Sequence, residues 1–378
     1  MNPGSLKEFH PQRILIINPF GIGDVLFTTP LICNLKYHFP ESFIGYVANQ
    51  RTAEFLVDYP KVNQVFVYER DEFNRLYRTS KQQFMKKGLR FLQEIKQAQF
   101  DLVIDLSLNG TMSFLMGLIG IPRRIGFNYK NRSFFLTTKI KLDGYEKKHV
   151  VDYYLSLLEE LGCEVKFREL EFPLKDGDRQ WVQEFWKKNG ILTGDLVVGL
   201  VPGGGASWGK DAVYKRWAPE KYAKLADKIV EKFSAKIILL GDQKEAELCR
   251  QVKTLMRSGA CLACGETSVG QFAALLKNCR LNIVNDGGPL HVAVTSGSKT
   301  VSIFGPVDEA VYGPYPAQGH QVVKKDLPCQ PCYRRFRRAD CRHIRCLNEL
   351  TVEEVLRKFL RGHLPKRFDA VFTSFPRF

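Results

Sequence analysis

The sequence predicts an α/β protein of two Rossmann-like domains facing across a cleft. Three observations carry that prediction. Short apolar runs alternate with helical stretches, the alternation pauses in a charged segment at 166–194 and then restarts, and several runs end in glycine-bearing turns. Continuous apolar runs are how strands read in a parallel sheet covered by helices on both faces. The 378-residue length suits two domains of roughly 100–200 residues each.

In order, residues 13–18 (RILIIN), 43–48 (FIGYVA), 64–68 (QVFVY) and 101–106 (DLVIDL) read as strands of the first domain. Residues 25–39 and 152–161 read as helices. Pro173, Gly177, Gly190 and Gly194 mark the interdomain region, with a helix at 179–189 inside it. The pattern resumes with strands at 196–201, 236–240, 281–285 and 300–304 and helices at 219–233 and 269–278. The predicted division is 1–170, 171–350, and a C-terminal helix and tail at 351–378. Three strands of the second half feed glycine-bearing turns, and in open α/β sheets ligands bind outside those carboxyl ends.

Composition narrows the function. The chain carries 56 Lys and Arg against 40 Asp and Glu, a net +16. Residues 70–99 hold net +5, 122–150 net +6 and 324–378 net +8, so the remainder is slightly acidic. Charge this local points to a polyanionic partner at defined surfaces: nucleic acid, an anionic lipid surface or a phosphorylated substrate. Nucleic acid is not expected, because the sequence has no zinc-finger, RNP-type or basic-zipper signature. Solvated helix faces are the bland alternative for any one patch. No window reaches the ~20 apolar residues of a membrane span. Residues 1–13 lack the apolar core of a secretory signal, so a cytoplasmic location is expected. Ten cysteines over this length suit a reducing compartment better than a disulfide scaffold.

Four motifs carry chemistry. The first is Gly21-Ile22-Gly23-Asp24 after the first strand. Glycines admit a ligand close to the backbone, and Asp24 is either a general base or a partner for the helix dipole. Leu26 stands where a dinucleotide fingerprint needs its third glycine, which argues against NAD. The second is Gly203-Gly204-Gly205-Ala206-Ser207, followed by Lys210, Lys215 and Arg216. It offers N–H groups and cations to phosphate without being a P-loop; a plain surface turn is the alternative. The third, Asp286-Gly287-Gly288-Pro289-Leu290-His291, gathers polar groups at a strand end. The fourth is Cys329, Cys332, Cys341 and Cys346, a candidate structural zinc or iron set, with free thiols or a labile disulfide as alternatives. Cys261 and Cys264 read as core.

With these motifs in hand, the chain resembles glycosyltransferase family 9, the bacterial lipopolysaccharide heptosyltransferases, over about residues 13–356. The blocks RILIINPFGIGDVLFTTPLICNLKYHFP (13–40), VGLVPGGGASWGKDAVYKRWAPEKYAKLA (198–226), IILLGDQKE (237–245) and NDGGPLHVAVTSGSKTVSIFGP (285–306) carry the resemblance by their order and spacing. The CQPC segment resembles a subset of that family.

The resemblance implies a GT-B fold, with the acceptor on the N-terminal domain and the nucleotide-sugar on the C-terminal one. The C-terminal helix of such folds often packs back on the N-terminal domain. It further implies inverting transfer of heptose from ADP-heptose to an anionic, lipid A-linked inner-core acceptor, with no catalytic cofactor or divalent metal. Asp24 would be the base, with Gly23, Arg123 and Arg124 on the acceptor side. Lys215 would stabilise the departing diphosphate, Lys210 being the fallback because Ala218 is inserted in the K-x-W-P-like block. Gly203, Gly204, Gly205, Ser207, Glu245, Asp286, Gly287, Gly288 and His291 would hold the donor. Asp242 and Glu247 compete with Glu245 for register, and Gly287 replaces the family's usual hydroxyl residue. The tail at 364–378 mixes Lys366 and Arg367 with Phe368, Phe372, Phe375 and Phe378, which suits peripheral contact with the inner-membrane surface or simply a disordered end.

Overall fold

The computed structural model describes residues 8–205 and 208–363. The chain divides after Pro173 into two units. In the first, strands β1 (Arg13–Ile17), β2 (Phe43–Ala48), β3 (Gln64–Val67), β4 (Leu102–Asp105), β5 (Arg123–Tyr129) and β6 (Thr138–Leu142) form one sheet in the order β3-β2-β1-β4-β5-β6. Every neighbouring pair in it is parallel. Its helices are α1 (Ile22–Leu26), α2 (Thr29–His38), α3 (Gln50–Val57), α4 (Arg70–Thr79), α5 (Lys81–Gln97), α6 (Gly110–Leu118), α7 (Val150–Leu155) and α8 (Leu157–Glu160).

The second unit opens with α9 (Asp176–Lys188) and repeats the plan. Strands β7 (Val197–Val201), β8 (Lys236–Leu239), β9 (Cys261–Leu262), β10 (Leu281–Asn285), β11 (Thr300–Ile303) and β12 (Gln321–Val323) are ordered β12-β11-β10-β7-β8-β9, again all parallel. The connections carry α10 (Pro219–Phe233), α11 (Ala246–Leu255), α12 (Val269–Asn278), α13 (Gly288–Thr295) and α14 (Glu309–Tyr312). A two-stranded hairpin, β13 (Tyr333–Arg334) and β14 (Arg337–Arg338), precedes α15 (Arg345–Asn348) and α16 (Val352–His363).

The α/β expectation of two Rossmann-like units is met. The central strands β4, β7 and β10 are buried along their whole length, and β1 along all but its first residue. That two-sided burial is why they read as unbroken apolar runs. In each sheet the strand order reverses once, between β1 and β4 and between β7 and β10. Such switch points open a crevice at the carboxyl edge. The Gly21–Asp24 turn follows β1, and the two glycine turns of the second unit follow β7 and β10.

Several local expectations change. The helix read at 25–39 is two helices: Thr28 Oγ1 donates to Val25 O at 2.6 Å and Thr29 Oγ1 to Leu26 O at 2.8 Å, and Pro30 opens α2 without an N–H. Strands β5 and β6 lie inside what read as a basic segment, because Lys139 and Lys141 alternate with Ile140 and Leu142 on a half-exposed edge strand. The charged region at 166–194 is divided. Lys166 N and Phe167 N donate to Asn34 Oδ1, Glu171 N donates to Thr29 Oγ1 at 3.0 Å, and Glu171 pairs with Lys61 at 2.6 Å, fastening this stretch to the first unit. Finally, α16 buries Val355, Leu356, Phe359 and Leu360 in the core of the second unit. The aromatic and basic tail at 364–378 lies outside the described residues.

Candidate active site

The loop after β1 is built around buried amides. Asn18 Nδ2 donates to Asp24 O at 3.0 Å, and Asn49 Nδ2 donates to Phe20 O. These bonds hold Gly23, which is buried, and Asp24, which is half-buried, in the first turn of α1. Burial raises the hydroxyl pKa of Tyr46 and of Tyr145, and the nearby negative charge of Asp24 adds to it. Both tyrosines therefore stay neutral around the carboxylate. Tyr46 is further fixed by a 3.0 Å hydrogen bond with Thr28. A carboxylate in such a place has the chemistry to accept a proton.

Arg123 and Arg124 do not join it. They open β5, level with Leu102 and Val103 of β4, which in turn align with Ile14 and Leu15 of β1. That is the amino edge of a parallel sheet, whereas Asp24 follows a carboxyl end. Arg124 spends its guanidinium on carbonyls, donating from Nε to Phe135 O at 2.7 Å and from Nη1 to Ile121 O and Pro122 O. Arg123 stacks its guanidinium 3.7 Å over the Phe9 ring. Both serve the fold at that edge.

In the second unit the two glycine turns touch. A Cβ on Gly287 would lie 1.9 Å from Gly204 O, and φ of Gly287 is +148°. Only glycine fits, which explains why the usual hydroxyl residue is missing here. Gly204 and Gly205 also take positive φ, +87° and +83°. A Cβ on Gly203 would overlap the Glu245 carboxylate. That carboxylate, 2% exposed as a residue, accepts from Gly205 N at 2.8 Å and Asp242 N at 3.2 Å. Arg216 completes the staple, with Nε donating to Gly203 O at 2.7 Å and Nη2 lying 3.5 Å from Glu245 Oε1. Burial, then the Asp242 charge, raises the Glu245 pKa against these hydrogen bonds and Arg216.

The three acids are placed differently. Glu245 faces the loop, Asp242 caps the 3₁₀ turn that contains Glu245, and Glu247 pairs with Arg250 in solvent. Lys215 Nζ lies 2.7 Å from Asp286 Oδ2, the two side chains being 9% and 3% exposed. The same ammonium sits 4.4 Å over the Trp208 ring. His291 is buried in the first turn of α13, which starts at Gly288. Asn285 ties the turns together, its Nδ2 donating to Pro202 O at 2.7 Å and its Oδ1 accepting from Trp217 N at 3.3 Å. Ser207 lies outside the described residues.

The structure thus gathers Lys215, Glu245, Asp286, Gly287, Gly288 and His291 with the glycine loop. It adds Trp208, which sequence reasoning did not name, and turns Arg216, named there beside Lys215, onto Gly203 O and Glu245. The only signal for Arg216 was adjacency to Lys215, and a guanidinium bonded to a carbonyl thirteen residues away leaves no spacing signature.

The four C-terminal cysteines do not make the expected metal site. Burial, then the neighbouring cysteines 341 and 329, raises the Cys332 thiol, and burial with Cys332 and Cys341 pushes Cys346 up to about 11. The sulfurs share one neighbourhood. Among the described residues no three His, Cys, Asp or Glu side chains are placed to hold a metal ion. Cys264, read as core, is buried and disulfide-bonded to Cys249 of α11.

Comparison with known proteins agrees with this geometry. Residues 88–343 match the model of glycosyltransferase family 9 (heptosyltransferase). Lipooligosaccharide heptosyltransferase 2 of Campylobacter jejuni is 27% identical over 359 residues, 94% of this chain and all of that protein. Among solved structures, a family 9 glycosyltransferase from Veillonella parvula aligns with TM-score 0.74 and 24% identity over 95% of this chain and 98% of its own. The ADP-heptose lps heptosyltransferase II of E. coli aligns with TM-score 0.70 and 20% identity over 92% and 97%. With a family model spanning most of its length and two Rossmann-like units of the GT-B kind, this chain belongs to glycosyltransferase family 9, the heptosyltransferases.

Proposed function

We propose that this enzyme transfers a heptose from ADP-heptose to a lipid A-linked inner-core acceptor, inverting the anomeric carbon, at the cytoplasmic face of a bacterial inner membrane. The names of the C. jejuni and E. coli relatives support the sugar and acceptor class. The observation that carries the reading is the buried Lys215–Asp286 pair beside two interlocked glycine turns at a switch point. A cation fixed there suits a diphosphate.

In the proposed reaction Asp24 takes the proton of the acceptor hydroxyl while its oxygen bonds to the anomeric carbon. The bond from that carbon to the diphosphate breaks, and ADP leaves with the electron pair. Lys215 and the amino end of α13 meet the charge that develops on the diphosphate. The Gly205 N–H is already given to Glu245, so the glycine loop contributes mainly by letting the nucleotide approach. Arg216 and Glu245 hold the loop open in that form.

A thermal-shift screen of ADP-, UDP-, GDP- and CMP-sugars tests the donor. Stabilisation follows affinity, so ADP-heptose should give the largest shift. A larger shift with another nucleotide-sugar would replace the donor and keep the family chemistry.

A further inference from the structure

The first unit carries a surface feature that the transfer chemistry does not use. Residues 106–142 contain Arg123, Arg124, Lys130, Arg132, Lys139 and Lys141 and no Asp or Glu. Within this stretch four large apolar side chains stand in solvent: Phe134 at 75% exposure, Leu118 at 68%, Phe135 at 45% and Phe114 at 42%. Phe114 and Leu118 are four residues apart on α6 and share a face. The rings of Phe114 and Phe135 meet at 4.7 Å, so α6 and the β5–β6 connection form one apolar surface.

That connection is tightly fastened. Ser133 N donates to Asn128 Oδ1 at 3.2 Å, and Ser133 Oγ to Phe127 O at 3.0 Å. Arg124 grips Phe135 O, Leu136 is buried, and Arg132 O presses on Gly110 at the start of α6, where a Cβ would lie 2.1 Å away. A segment held this way presents its rings to water by construction. Single exposed apolar residues need no explanation, but four on two elements joined by the Phe114–Phe135 contact mark an interaction surface.

We infer that this patch docks on an anionic lipid bilayer, Phe114, Leu118, Phe134 and Phe135 entering the headgroup–acyl boundary while Lys130, Arg132 and Lys139 meet lipid phosphates. The charge around the rings decides the occupant. Lys130, Arg132 and Lys139 are exposed, and the acid-free stretch supplies no opposite charge. A two-fold dimer through this face would set cations against cations. An apolar centre within a cationic rim is the pattern that binds anionic membranes. Lys130 and Arg132 follow the carboxyl end of β5, the edge of the sheet to which β1 delivers Asp24. The inference deepens the glycolipid reading and rests on it for its biological use.

The test is co-sedimentation of the full chain with vesicles of phosphatidylethanolamine and phosphatidylglycerol, against phosphatidylcholine alone, alongside heptose transfer to a delipidated, water-soluble core oligosaccharide. The chain should bind the anionic vesicles and not the zwitterionic ones. Phe134→Ser should weaken binding about tenfold, and Phe134→Leu should restore most of it. Removing Lys130 or Arg132 should cost about fivefold each. Transfer by Phe134→Ser to the soluble acceptor should equal wild type. Unchanged vesicle binding in Phe134→Ser, or transfer without any wild-type binding to anionic vesicles, overturns the surface and leaves the enzymatic reading standing. Vesicle binding that follows these substitutions in a chain inert toward every ADP-sugar keeps the surface and overturns the enzymatic reading. A self-associating chain made monomeric by Phe134→Ser, without vesicle binding, gives the patch to a second copy and overturns the lipid assignment.

Discussion

The two switch points of this molecule sit in nearly equivalent sheets and are built in opposite ways. After β7 and β10, the groups proposed for the chemistry also hold the fold: Lys215 is buried against Asp286, Gly287 packs on Gly204, and Glu245 and Arg216 clasp the loop. After β1, a single half-buried carboxylate stands in a loop held by other residues, Asn18 and Asn49. A site for a multiply charged diphosphate needs several preorganised groups, and fixing them costs packing freedom. A base needs position and protonation state only. The two halves should therefore respond differently to substitution.

The largest expected effect is catalytic. Asp24→Asn should lower turnover by about 10²–10⁴-fold and leave the melting temperature near wild type, measured by transfer assay and thermal unfolding. Lys215→Met should do both kinds of damage. Turnover should fall about 10²–10³-fold, and the orphaned Asp286 should cost about 3–5 kcal/mol of stability by denaturant titration. A Lys215→Met protein as stable as wild type would mean that the ion pair is not part of the fold. Gly287→Ser, which restores the family's hydroxyl, should destabilise by about 3 kcal/mol from positive φ and overlap with Gly204 O. Arg216→Gln should raise the donor KM about tenfold with kcat little changed, because it frees the loop and touches no reacting atom.

The smallest effect concerns pH. The Glu245 carboxyl binds its proton more tightly in the folded chain than in the unfolded one. Its contribution to stability is therefore greatest below the ordinary carboxylate value and declines as pH rises through the elevated folded value. Asp105, buried at the end of β4 and also raised by burial, acts in the same direction. Glu245→Gln should flatten part of that decline in melting temperature between acid and neutral pH. An identical profile in the variant would remove Glu245 as its source.

The contrast between the halves also decided what the sequence disclosed. β1, β4, β7 and β10 were legible because two-sided burial leaves an apolar run, and their glycine turns marked the switch points. β5 and β6 were hidden because edge strands alternate lysines with apolar residues. The edge on which Arg123 and Arg124 lie was hidden because a charge count carries no strand direction: two residues at the amino end of β5 look the same as two at its carboxyl end. Asp24 was legible because it follows directly on the glycine turn after β1. The bonds of Arg216 were not, since Gly203 lies thirteen residues back and Glu245 on another connection. The aromatic patch left no sequence signal, because which side of α6 and of the β5–β6 connection faces water is decided by the fold.

The division of labour is tested most directly by calorimetric titration of ADP-heptose into Asp24→Asn and Lys215→Met side by side with wild type. Asp24→Asn should bind the donor with wild-type affinity while failing to transfer it, and Lys215→Met should bind at least about tenfold more weakly. Loss of donor affinity in Asp24→Asn equal to that in Lys215→Met would contradict the assignment of base and diphosphate clamp to separate halves.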